Sequence, residues 1–130
     1  MFIDANIFIY ASTDNGKRGE RARKFIKRIE KGEQHSVTSV LVLDEVFWVV
    51  RDMRGEEYSL SVWDKILKIS NLRFLEITKE VAQQTPEFIK SGLNSRDAIH
   101  AATMKEYGIN TLLGYDRDFD IIRTIHRQEP

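Results

Sequence analysis

The stretch Ser95-Arg96-Asp97-Ala98-Ile99-His100-Ala101-Ala102-Thr103-Met104-Lys105-Glu106-Tyr107-Gly108-Ile109-Asn110-Thr111-Leu112-Leu113-Gly114-Tyr115-Asp116 decides the fold. Asn94 or Ser95 is suited to cap a helix from Arg96 to about Tyr107, and the small residues Ala98, Ala101 and Ala102 allow close packing against a neighbour. Gly108 ends that helix, and Thr111 to Gly114 then reads as a short apolar strand that stops at Asp116. A helix, a glycine stop and an apolar strand in immediate succession form a repeating unit of an α/β protein.

The same grammar runs through the rest of the chain. Phe2-Ile3-Asp4 is a short apolar run ending in an acid, and Ala5 to Tyr10 is compatible with either a continued strand or a helix. Between Gly16 and Gly32, Ala22, Phe25, Ile26 and Ile29 recur at helical spacing with basic residues on the other faces. Ser36 to Thr38 is a strand candidate, Ser39 a cap for a helix from Val40 to about Met53, and Glu56 to Ile69 a further helix. The Val40 helix is apolar on nearly every side, so a central position is expected for it. Arg73 to Ile77 reads as a strand, Thr78 caps a short helix broken or restarted at Pro86, and Ile121 to Ile125 is expected to be the last short strand. Short apolar strands separated by helices imply a mainly parallel sheet of four or five strands, covered on both faces. Ligands of such sheets bind beyond the carboxyl ends of the strands, where Asp4 and Asp116 fall.

At 130 residues the chain has the length of one domain, residues 1–130, and its 42% hydrophobic and 31% charged residues exclude a disordered or collagen-like chain. The absence of cysteine excludes a disulfide framework and a thiolate zinc site. Asp4 interrupts the first apolar stretch, and Asp44 and Glu45 interrupt the longest, so neither a signal peptide nor a membrane span is expected and a cytoplasmic location follows. Twenty basic residues balance twenty acidic ones, which rules out a global basic excess for nucleic-acid binding. The charge is uneven, however: eight basic residues stand against four acids between Asp14 and Glu33.

Four acids bear on chemistry. Glu45 sits in the apolar run Val40 to Val50, where an unpaired carboxylate costs several kcal/mol and therefore demands a cation or a hydrogen-bond partner. Asp97 stands in the first turn of a helix whose remainder is largely apolar. Each acid alone has an ordinary structural role: Asp4 as a cap, Asp97 as a dipole-stabilising acid, Glu45 as an arginine partner, Asp116 as turn chemistry beside Asp118 and Asp120. Their joint placement, two at strand ends and two on helices, points instead to one crevice. Crowded carboxylates persist where a divalent cation neutralises them, and oxygen donors without a His or Cys cluster favour Mg2+ or Mn2+ over zinc. A pair of such ions about 3.5 to 4 Å apart suits phosphodiester hydrolysis.

The segments Phe2 to Tyr10, Thr38 to Val46, Arg96 to Ala102 and Tyr115 to Asp120 resemble, in order and spacing, the four motifs of the PIN-domain family. The similarity spans the whole chain and is greatest to the single-domain VapC-type toxins of toxin–antitoxin pairs. It implies a PIN-like three-layer α/β/α fold and an Mg2+- or Mn2+-dependent endoribonuclease, commonly a homodimer, restrained by a cognate antitoxin. By position it implies Asp4, Glu45, Asp97 and Asp116 as the acidic quartet, Asp4 and Asp97 as the more direct metal ligands, and Asn6 as the residue that orients the carboxylates. Family members often carry Thr or Ser two residues before the fourth acid. This chain has Gly114 there, which leaves Asp116, Asp118 and Asp120 as alternatives for that role.

Other features admit two readings. His100, one turn from Asp97, is a ligand or base, or a histidine that packs within the fold. Lys17, Arg21, Lys24 and Arg28 form a stripe that tracks RNA or simply faces water. Trp48 and Trp63 are expected in the core or in a dimer interface. The main rival is a non-catalytic PIN-like module binding RNA or protein. A phosphoacceptor domain fits poorly, since no strand near mid-chain ends in Asp.

Overall fold

The computed structural model describes all 130 residues. Strands β1 (Phe2–Ile3), β2 (Ser36–Ser39), β3 (Leu72–Leu75), β4 (Thr111–Leu113) and β5 (His126–Gln128) form one all-parallel sheet in the order β3-β2-β1-β4-β5. The chain winds outward from β1 in one direction through β3, then returns to the other side of β1 with β4. The switch in winding therefore lies between β1 and β4, where the open crevice of such a sheet forms.

Six helices connect the strands: α1 (Ala5–Thr13), α2 (Lys17–Glu30), α3 (Val40–Arg54), α4 (Glu56–Leu67), α5 (Lys79–Lys90) and α6 (Ser95–Glu106). They pack in two groups, α1 to α4 together and α5 with α6. Successive residues of a strand point to opposite faces, and Phe2 and Ile3 are both wholly buried, so β1 is covered on each side. A continuous core of 28 buried apolar residues joins the layers, the α/β/α arrangement expected.

Ala5 to Thr13 is helical despite its β-branched residues. Asp4 has extended backbone angles and its carboxylate accepts the Ala5 N–H at 2.9 Å, which caps the helix, while Ile7 and Phe8 enter the core. Pro86 does not break α5. Its exposed position lets water satisfy the Ala82 carbonyl that loses its partner, and Val81, Thr85 and Phe88 bury the opposite face. Ile121 to Ile125 is not a strand. Arg117–Ile121 is a 3-10 helix and the last strand is the polar His126–Gln128, because Ile122 and Ile125 reach the core from an irregular segment and leave the ladder to the next three residues. Nor is α3 central: Val42, Leu43, Val46 and Val50 are buried, whereas Val40, Trp48, Val49 and Met53 are exposed. Trp48 is thus outside the core, with Arg51 stacked at 4.9 Å, while Trp63 packs partly buried against it.

The join between α1 and α2 is rigid. Asp14 accepts the N–H groups of Gly16 and Gly19 at 3.0 and 2.8 Å, and Arg23 bonds the carbonyls of Ala11 and Asp14. A methyl at Gly19 would lie 1.9 Å from the Asp14 carbonyl oxygen and 2.8 Å from that of Tyr10, both backbone atoms. Gly19→Ala is therefore expected to destabilise the fold by about 3 kcal/mol, read as a melting temperature roughly 10 °C lower. An unchanged melt would refute the tight approach of the two helices.

Candidate active site

Asp4 leaves the central strand with only 4% of its surface exposed. Its N–H extends the ladder to the Leu113 carbonyl at 3.0 Å, one carboxylate oxygen accepts the Ala5 N–H, and the other accepts the Asn6 side-chain amide. The same Asn6 accepts the Tyr115 N–H through its carbonyl oxygen at 3.1 Å, so one side chain fastens the end of β1 to the loop after β4. Burial pushes the Asp4 carboxyl up to about 7. The buried His100 counters the shift, nearby Glu45 adds to it, the Ala5 N–H opposes it and Asp97 adds a little more.

Glu45, on the second turn of α3, meets the partner its apolar helix demands: His100 Nε2 lies 3.4 Å from its Oε2. His100 comes from α6, is wholly buried against Phe2 with ring centroids 5.5 Å apart, and has no hydrogen-bond partner at Nδ1. Of its two sequence readings, packing within the fold describes its surroundings, and Asp4, Glu45 and His100 together bring ligand atoms within 4.8 Å of one another. Ser39, expected to cap α3, makes no such bond, and its hydroxyl is buried without a partner.

Asn94 caps α6 through the Asp97 N–H at 3.0 Å, and its own amide donates to an Asp97 carboxylate oxygen at 2.5 Å. Asp97 is buried, and its carboxyl is raised by that burial and by the charge of Asp116, against the opposing effects of His100 and the Asn94 bond. Asp97, Asp116 and Asp118 form a second group with oxygens within 4.8 Å. Glu45, Asn94, Ser95, Arg96, Asp97 and Asp116 line an open cleft of about 330 Å3 with no hydrophobic wall residue. The structure thus brings Asp4, Asn6, Glu45, Asp97 and Asp116 to one end of the sheet. Asn94 and Arg96 join them. The sequence marked Asn94 only as a cap, and its spacing of three from Asp97 was the available signal.

The three acids of the fourth segment have different surroundings. Asp120 is bound by Arg127 through two bonds of 2.8 and 3.2 Å, and Arg127 also donates to the Gly114 carbonyl and to Glu129, each at 3.1 Å. Asp116 accepts the Asp118 N–H at 2.9 Å, caps the 3-10 helix and faces the cleft, whereas Asp118 is exposed. Gly114 has a steric role: a methyl there would come within 2.9 Å of the Asp4 Cβ, 3.0 Å of its Oδ2 and 3.1 Å of Leu112. A side chain at this position would crowd the central acid, so in this chain Gly114 makes room for Asp4.

The donor set fits a hard divalent cation, since crowded carboxylate oxygens dominate it and two of the acids are held above their ordinary range.

The PIN domain family profile matches residues 1–124. Ribonuclease VapC2 of Methanocaldococcus jannaschii is 29% identical over 132 aligned positions that cover 92% of this chain and 86% of that protein. Among solved structures, VapC20 of Mycobacterium tuberculosis, described as a toxin cleaving the sarcin-ricin loop, superposes with a TM-score of 0.71 at 19% identity, covering 92% of each chain. VapBC2 of Rickettsia felis, solved with a promoter DNA fragment, superposes with a TM-score of 0.73 at 18% identity over 98% of this chain and 96% of that one.

Two outcomes follow from the site's geometry. Asp4 takes up a proton more readily folded than unfolded, so between about pH 4 and 7 the native state holds more protons and stability falls as pH rises. In chelator, the unfolding free energy is expected to fall through this window by up to about 1.4 kcal/mol per pH unit from this group, and Asp4→Asn should flatten the profile. Arg127→Ala removes the clamp on Asp120 and Gly114. It should cost about 1 to 3 kcal/mol and accelerate amide exchange at Gly114 and Asp118, with equal exchange in the two proteins counting against the clamp.

Proposed function

The chain belongs to the PIN-domain family, and from this premise we propose that it is an Mg2+- or Mn2+-dependent endoribonuclease, the toxin of a toxin–antitoxin pair. The observation that carries the reading is the convergence of Asp4, Glu45, Asp97 and Asp116 on one cleft edge, with Asp4 buried at the switch point of the sheet. The names of the relatives, a ribonuclease and toxins, support the substrate class.

In this reading Asp4 and Asp97 hold the metal most directly, and Glu45 and Asp116 complete the set. The bound cation supplies Lewis-acid chemistry, lowering the pKa of its water and countering charge on the phosphate. The chain's own contribution is orientation. Asn6 fixes the Asp4 oxygens, Asn94 fixes Asp97, and His100 stands behind Glu45, so the acids are set before substrate arrives. Arg96, exposed at the cleft, offers a guanidinium to a phosphate oxygen. A homodimer is carried over from the family resemblance, and exposed Trp48, Val49 and Met53 on α3 are apolar side chains that such an interface could cover. An antitoxin partner is supported by the VapBC complexes of similar fold. No helix is long and apolar enough to cross a membrane.

The test is cleavage of a panel of single-stranded and structured RNAs by contaminant-free protein with Mn2+. Asp97→Asn and Asp4→Asn are each expected to lower the rate at least a hundredfold. Millimolar Mn2+ is expected to raise the melting temperature of the wild type and much less that of Asp97→Asn, since a ligand bound only by the folded state stabilises it by about 2.7 kcal/mol at a hundredfold excess over Kd. Cleavage indifferent to both substitutions ends the proposal.

A further inference from the structure

The basic residues of α2 fall into two groups that sequence spacing does not separate. Lys24 pairs with Glu20 at 2.7 Å, and Arg28 and Lys31 lie 3.9 and 4.0 Å from the one carboxylate of Glu33, so these three cations have an acidic partner. Arg18 and Arg21 are exposed and form no ion pair. Arg18 instead lies over two aromatic rings, its guanidinium carbon 5.6 Å from the Tyr10 centroid and 5.2 Å from that of Tyr115, and donates to the Tyr10 hydroxyl at 3.2 Å. The rings meet edge to face at 5.2 Å. Arg21 lies near enough for its charge to act on the Tyr115 phenol.

This cluster adjoins the acidic site. Tyr115 precedes Asp116 in the chain, and its N–H is held by the same Asn6 amide that bonds Asp4. The base of the cluster is fixed by Asp14 and by the close approach at Gly19. Stacking holds a guanidinium without consuming its N–H edge: of five donors, Arg18 spends one on Tyr10. A carboxylate cluster repels a polyanion, so an RNA strand entering it needs cations at the rim. Arg96 stands at the cleft itself.

We propose that Arg18 and Arg21 form a phosphate-binding subsite for the RNA strand next to the cleaved bond. The strand runs from Arg96 across the acids and over Tyr115 to the first turns of α2. Arg18, held by the two rings, and the exposed Arg21 present forked donors that match phosphate oxygens, and backbone contacts of this kind fix register without reading bases. The inference rests on the ribonuclease reading above.

Cleavage of a labelled RNA with Mn2+ between 50 and 200 mM salt tests it, using Arg18→Gln, Arg21→Gln, the double variant and Lys24→Gln. The double variant is expected to raise KM about tenfold with kcat within twofold. The slope of log kcat/KM against log salt should become shallower by about 1.4, at about 0.7 per phosphate contact on a single strand. Lys24→Gln should match the wild type. Direct binding, by fluorescence anisotropy, should weaken about tenfold when the two substitutions are added to Asp97→Asn. If Arg18→Gln lowers the melting temperature, Arg18→Lys, which keeps the charge, is expected to restore KM. A stable double variant with wild-type KM and salt slope overturns the subsite while leaving the ribonuclease reading intact. So does a double variant that loses only affinity for an acidic antitoxin peptide. A wild-type protein that cleaves no RNA overturns both.

Discussion

Asp4 ends the central strand with its carboxylate almost shut off from water, and the arrangement around it answers that one electrostatic cost. A buried carboxylate needs hydrogen-bond donors, a cation or a proton. The chain provides two donors, from Ala5 and Asn6, and places a buried histidine nearby, yet adds Glu45 and Asp97 as further negative charge. Gly114 has no side chain because Asp4 occupies its space, and Asn6 spans from Asp4 to the loop that bears Asp116. The backbone at the switch point of the sheet is thus specified by the needs of one side chain.

Much of this architecture is legible along the chain, because helices and strands alternate with clear stops. The apolar period of α2, the acids at the ends of β1 and β4, and the cap at Asn94 are local signals, and the structure carries each of them. What local signals miss is decided by packing. Ala5 to Tyr10 is ambiguous in propensity, and only the cap at Asp4 and burial of Ile7 and Phe8 select the helix. Pro86 ends a helix when its freed carbonyl is buried, and here that carbonyl faces solvent. The segment Ile121 to Ile125 has the composition of a strand, but Ile122 and Ile125 are used as core plugs from the irregular stretch after the 3-10 helix. An all-round apolar helix reads as central, although α3 leaves Val40, Trp48, Val49 and Met53 exposed.

The site divides in the same way. The acids are visible because carboxylates at strand ends and in apolar helices are conspicuous, and the family motifs order them. The residues that hold them are not visible. Arg127 follows Gly114 by 13 residues, on a strand of polar residues, and the parallel pairing of β4 with β5 brings its guanidinium to the Gly114 carbonyl and to Asp120. That pairing also separates three aspartates that look equivalent in sequence: one neutralised by arginine, one exposed, one facing the cleft. His100 and Glu45 are 55 residues apart and meet because α6 brings His100 against Phe2 of the central strand.

A zero net charge then takes on a different meaning from the one composition assigns. Twenty cations and twenty anions cancel in sum, but the fold gathers acids at one end of the sheet and leaves the unpaired guanidinium groups of Arg18 and Arg21 at the rim of that cluster. Farther along α2, Lys24 is paired with Glu20, and Arg28 and Lys31 share Glu33. The field that a polyanion meets is therefore local and set by a few oriented charges, which act within about a Debye length of 8 to 10 Å at ordinary salt. In the proposed reading, attraction for a polyanion is therefore confined to the rim of the acidic cluster. The acids and the rim cations are in this sense one device, since the repulsion of the first creates the requirement for the second.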